Sequence, residues 1–201
     1  MNTEFASANL TAGQLNAIVK KIGGYDRALR FLRDELIAYE PPRLWREENG
    51  VIYLSVTSDG TTGVRWVERL EKKGFRISSG AKSLFCTKGF EPTVGITTEI
   101  AIIKETNYPR RDIVFEALLR RLREPNAEVV CLIRELLRDE DIWYMGLHSL
   151  AVKHKPIKDP LGMECLLRIS VLAGGSELDT TYPLLGAGIP GNGRAFLISQ
   201  A

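Results

Sequence analysis

Two runs of β-branched and apolar residues constrain the fold of this chain more than any other feature: VIYLSVT at 51–57 and VGITTEIAIIK at 94–104. Branching at Cβ crowds the turns of a helix and packs well on a pleated surface, so both runs read as strands, the first of them buried. Around them the period changes. Ser58-Asp59-Gly60 breaks the first strand, Thr61 or Thr62 caps a helix, and Val64, Val67 and Leu70 share one face of it with Trp66 alongside. Gly74 stops that helix behind Lys72-Lys73, whose charges suit the negative end of its dipole. FRI at 75–77 reads as a short strand, and Ser78 or Ser79 caps a short helix to Phe85.

Helical spacing also fills the flanks. Thr11 is a natural cap for a helix with Leu15, Ile18, Val19 and Ile22 on one face, stopped by Gly23-Gly24. A second helix carries Tyr25, Ala28, Leu29, Leu32 and Leu36, and Pro41-Pro42 forbids its continuation. Together they read as a helical hairpin. Pro109 suits the first position of a helix with Ile113, Val114, Ala117, Leu118 and Leu122. Pro125-Asn126 is expected to end it and to cap the next, which buries Val129, Val130, Ile133 and Leu137. Asp139-Glu140-Asp141 opens a last helical turn before Gly146.

Beyond Gly146 the texture is strand-like, in LHSLAVKHKPI (147–157), CLLRISVL (165–172) and RAFLIS (194–199). The glycine-bearing stretch 173–193 reads as a long loop. The expected class is therefore α+β: an N-terminal helical hairpin, mixed helices and strands, then C-terminal antiparallel strands. Residues 1–10 carry no periodic pattern and read as a loose leader. Residues 11–201 read as one domain with a sub-boundary near 146.

The 201 residues include 27 basic and 25 acidic side chains, a net charge of +2. That balance gives no whole-molecule field of the kind that draws a protein to nucleic acid or a membrane. Three cysteines, Cys86, Cys131 and Cys165, with no C-x-x-C spacing, fit a reducing compartment better than a disulfide framework. Each reads as a small buried hydrophobe. With no basic-then-apolar leader and no apolar run of membrane-spanning length, the expected location is the cytoplasm. No cofactor or metal motif is present.

The best local candidate for ligand binding is Ser58, Gly60, Thr61, Thr62 and Gly63, a glycine–hydroxyl loop between a strand and a helix, where backbone N–H groups favour an anion. It lacks the lysine of a phosphate-binding P-loop, and Asp59 within it repels phosphate. The bland account is a turn and a cap. A second candidate is arginine recognition of nucleic acid, through Arg110, Arg111, Arg120 and Arg121, with Arg123 beside them and Arg27, Arg30 and Arg33 on the second helix. Interleaved Asp26, Asp34, Glu35, Asp112, Glu116 and Glu124 favour a salt-bridged solvent face instead. His148 and His154 fall on one predicted strand, about 20 Å apart by strand rise, too far to share a metal. Glu47-Glu48 reads as part of a charged connector. Trp45 and Trp143-Tyr144 sit near predicted element ends, where burial closes a core edge and exposure marks a contact surface.

Several segments are similar to a set of uncharacterised bacterial proteins from uncultured lineages: WREENGVIYLSVTSDGTTG (45–63), RLEKKGFRIS (69–78), Pro92 to Lys104, PNAEVVCLIREL (125–136), MGL (145–147) and HKPIKD (154–159). The resemblance implies a small bacterial protein with one continuous domain and no assigned activity, and it carries no site residues. Three functions follow from the residues: a non-enzymatic binding or protein-interaction module, an enzyme or sensor for a phosphorylated small molecule using the 58–63 loop, and a nucleic-acid binder through its arginine helices.

Overall fold

The two apolar runs pair with each other, antiparallel, and Val51 to Thr57 stand opposite Ile103 to Thr97. The computed structural model describes residues 11–22, 24–33, 43–104, 110–172, 175–183 and 192–197. Two units are distinguished, residues 1–43 and residues 44–201.

In the first unit, α1 (Ala12–Ile22) and α2 (Tyr25–Leu32) form the expected helical pair. Thr11 caps α1 reciprocally with Gln14: Thr11 Oγ1 accepts from the Gln14 amide at 3.3 Å, and Gln14 Oε1 accepts from the Thr11 amide at 2.9 Å. Pro41-Pro42 lies outside the described residues.

The second unit runs β1 (Trp45–Glu48), β2 (Val51–Asp59), α3 (Gly63–Lys72), β3 (Arg76–Ile77), α4 (Ser79–Phe85), β4 (Val94–Lys104), α5 (Arg110–Leu119), α6 (Val129–Leu136), α7 (Asp139–Tyr144), β5 (Ser149–Val152), β6 (Ile157–Lys158), β7 (Glu164–Leu172), β8 (Gly175–Thr181) and β9 (Asn192–Leu197). The strands form a sheet in the order β1-β2-β4-β9-β5-β7-β8-β3, with β6 pairing separately on β7. The pairs β5–β9 and β3–β8 are parallel, and the others are antiparallel. The protein is α+β.

The C-terminal part departs from the expected simple meander. β9 returns to the interior of the sheet, between β4 and β5. The expected 173–193 loop contains β8, whose only large apolar side chain, Leu178, is fully buried. The expected strand over 147–157 breaks after Val152 and resumes at Ile157. At the break the His154 ring serves the ladder, because its Nε2 accepts the Leu167 amide at 2.9 Å. Residues 45–48 form an edge strand rather than a connector. Asn49 and Gly50, with φ of 51° and 74°, make the tight turn that joins β1 to β2.

Helices cover the sheet unequally. One face carries Ile52, Leu54, Ile100, Ile102, Leu150, Leu167, Ile169 and Leu178, in one cluster with Trp66, Leu70, Leu84, Val130, Ile133 and Ile142 from α3, α4, α6 and α7. On the other face Val51, Ala101, Ile103 and Phe196 meet Ile113 and Ala117 of α5. Ser78 caps α4 as expected, accepting the Ala81 amide at 3.1 Å. Gly74, at φ 83°, ends the helical run as α3's stop. Asn126 does not cap α6. Its side-chain amide donates to the Glu91 carbonyl at 2.5 Å, and Glu128 occupies the cap position.

Candidate functional site

Within the 58–63 loop, Ser58, Gly60 and Thr61 are engaged internally. Ser58 is buried where the β2–β4 register shifts; its hydroxyl accepts from the Ile96 amide and donates to the Ile96 carbonyl. The Gly60 amide donates to the Thr93 carbonyl at 2.8 Å. The Thr61 amide and hydroxyl both donate to Asp59, at 3.0 and 2.5 Å. Thr62 stands at the cap position of α3 without a side-chain cap bond. Gly63 abuts α4 so closely that a Cβ there would stand 2.0 Å from the Phe85 carbonyl oxygen. The Asp59 carboxyl is held down at about 2, first by the Thr61 hydroxyl and then by Arg69.

The arginine candidates are described only in part. The side chains of Arg27, Arg30, Arg110 and Arg111 lie outside the described residues. Arg120 pairs with Glu116 at 2.5 Å, and Arg121, at the end of α5's run, takes a positive φ of 54°. His148 packs edge-on against Trp143 with centroids 5.2 Å apart, whereas His154 is buried. Cys131 and Cys165 are buried as expected; Cys86, at the C-cap of α4, is exposed. Among the described residues no group of His, Cys, Asp and Glu is arranged to hold a metal, and no helix is long and apolar enough to cross a membrane.

The structure brings together a set of residues that lie far apart in sequence. Three hollows adjoin. The first, about 650 Å³, runs along α3 and is lined by Thr61, Arg65, Glu68, Arg69, Lys72 and Lys73. The second, about 310 Å³, shares Lys73 and adds Phe75 and Arg76, Arg134, Arg138, Asp139 and Glu140, and Gly175-Ser176. The third, about 600 Å³, shares Asp139, Glu140 and Gly175 and adds Trp143, Tyr144, Val171 and Leu172. A cationic stretch thus grades into an aromatic one.

Each part has a local cause. At about 100° per residue, Ile142 and Met145 fall on one side of α7 and both are fully buried. Trp143 and Tyr144 are thereby turned outward, 61% and 73% exposed. Arg134 is carried by α6, whose residues from Val129 to Arg134 are buried, and its guanidinium lies over the Phe75 ring at 4.0 Å. It donates to the Leu137 carbonyl at 3.0 Å and to Asp139 at 2.5 Å. Burial lowers the Arg134 pKa, against the pull of Asp139. Burial pushes the Asp139 carboxyl up, but the Ser176 amide and Arg134 outweigh it, and its pKa lies below the ordinary value. Along α3, Arg69 covers the buried Trp66 ring and pairs with Asp59 and Glu135, and Glu135 also takes Lys73.

Trp143-Tyr144 was the sequence signal for this surface. Its cationic half had none, because Arg76 lies far in sequence from Arg134 and Arg138 and meets them only around one folded hollow. No family model, curated protein or solved structure matches the chain.

Proposed function

We propose that this protein is a non-enzymatic binding module that holds a partner protein on the surface built from α7 and the adjoining ends of β7 and β8. The exposure of Trp143 and Tyr144 carries the reading. Large aromatic side chains left in water beside Val171 and Leu172 retain apolar area that a partner can cover, and tryptophan and tyrosine are the residues that most often anchor interfaces. A catalytic reading lacks a comparable observation. The amides of Gly60 and Thr61, which a phosphate would need, already donate within the protein. We take the setting to be a bacterial cytoplasm, on the reduced cysteines and on the resemblance to bacterial proteins.

A phage-displayed random-peptide library panned on the protein tests the reading. Selected peptides are expected to bind the Trp143→Ala/Tyr144→Ala variant at least about tenfold more weakly, the scale of losing a buried aromatic anchor. Circular dichroism should show the fold unchanged. If selection yields no peptide whose binding depends on these two residues, the reading is wrong.

A further inference from the structure

We propose that the partner segment is acidic: an extended peptide places an apolar side chain against Trp143 and Tyr144 and runs its carboxylates along the cationic hollow beside them. This rests on the interaction reading above and adds the chemistry of the partner. The two hollows adjoin, both lined by Asp139, Glu140 and Gly175, so one extended segment can reach both.

The charges in the cationic hollow are not equally engaged. Lys73 pairs with Glu135, Arg134 with Asp139 and Arg138 with Asp141. Arg76 instead donates to a neutral acceptor, the Gly175 carbonyl, at 2.5 Å, and pairs with no carboxylate among the described residues. On the neighbouring stretch of α3, Arg65 and Lys72 have no carboxylate partner among the described residues either. Asp139 is itself engaged by Arg134 and the Ser176 amide. Glu140, exposed at the junction, is the carboxylate that opposes an acidic ligand there. Complementary charge of this kind selects among partners and hastens their approach, while the aromatic pair supplies contact area.

The arrangement also fixes the order of the peptide's groups. Its apolar residue sits on the α7 side of Glu140 and its acidic residues on the Arg76 side. A basic segment is disfavoured beside Arg76, Arg65 and Lys72, and an uncharged one gains nothing from them; on α3 the exposed Glu68 is the opposing carboxylate.

The peptides selected on the wild-type protein decide the matter. They should carry an aromatic or branched apolar residue close to Asp or Glu. Fluorescence anisotropy of a labelled member should show binding weakened about fivefold to tenfold by Arg76→Gln, weakened by added salt and strengthened by Glu140→Gln. Arg76 is exposed, so the variant folds, and Lys72→Gln reads whether the carboxylates run on into the neighbouring hollow along α3. Peptides that need Trp143 but are neutral or basic, or whose affinity ignores both charge variants and salt, overturn the acidic assignment and leave the interaction surface standing. Loss of the Trp143 dependence itself overturns the reading beneath it.

Discussion

His154 shows how one side chain can do the work of a strand. Its neutral ring is used from both sides: Nε2 accepts the Leu167 amide at 2.9 Å, so Nδ1 carries the proton and donates to the Lys155 carbonyl at 2.7 Å. A second proton would remove the acceptor and place charge in the interior. Burial accordingly lowers the His154 pKa, with the Lys155 carbonyl, Lys153 and Glu124 as lesser influences. The unfolded chain then takes up the proton first as pH falls. The stability His154 contributes is full above its ordinary value of 6.5 and is lost as pH drops from there through the lower folded value. Urea unfolding across this window should show stability falling with acidity in the wild type and a flatter dependence in His154→Gln, which keeps an acceptor but has no titrating ring. An unchanged slope would mean that another group controls it. None of this is visible in the sequence, where a strand-like run passes through His154. The break shows only once β5 and β6 are seen to pair with separate stretches of β7.

Elements were legible where local preference and tertiary demand agreed. The β-branched runs became β2 and β4, Ser78 capped α4, and Gly74 closed off α3. They were illegible where pairing alone makes the element. β8, GSELDTT, is mostly polar with one buried leucine, and a sheet neighbour on either side makes it a strand. β1 was marked in advance by Asn49-Gly50, a strong hairpin signal, but WREE looked like a connector because its charges face solvent. The contact of α3 with α4 gives an element-scale prediction in which helix propensity has the wrong sign. Gly63→Ala should gain about 1 kcal/mol in helix propensity. It should nonetheless destabilise the protein by ~2 kcal/mol or more, because its Cβ would meet the Phe85 carbonyl at 2.0 Å and the helices must part. The urea midpoint measures this; a stabilised variant would show that the contact is loose. On α7, Trp143 is 61% exposed and meets His148 edge-on, so Trp143→Ala should change stability by less than about 1 kcal/mol while weakening the proposed binding.

At the scale of the molecule, the described sheet lies within residues 44–201, and strands from the two sides of Gly146 pair in it, β4 with β9 and β3 with β8. The change of texture at Gly146 marks a shift from helix-rich to strand-rich sequence within that sheet. A fragment of residues 44–201 should therefore unfold cooperatively on heating, followed by circular dichroism. A fragment of residues 44–146 should show no cooperative transition, since β4 has lost β9 and the main core has lost Leu150, Leu167 and Ile169. A sharp transition in the shorter fragment would establish a boundary at 146. The proposed binding surface is likewise a product of the whole unit: α3, α6, α7 and the β7–β8 pair each supply part of it, so no single segment announces it.

β9 bridges β4 to β5, with Ile100–Lys104 on one flank and Ser149–Val152 on the other. During synthesis, residues 192–197 leave the ribosome after every other strand of this sheet. Until they emerge, both flanks present unsatisfied edges in the crowded cell, separated by a gap that only this late segment fits. Completion of the sheet therefore waits on its last strand to be synthesised, and until then the facing edges of β4 and β5 are open to mispairing.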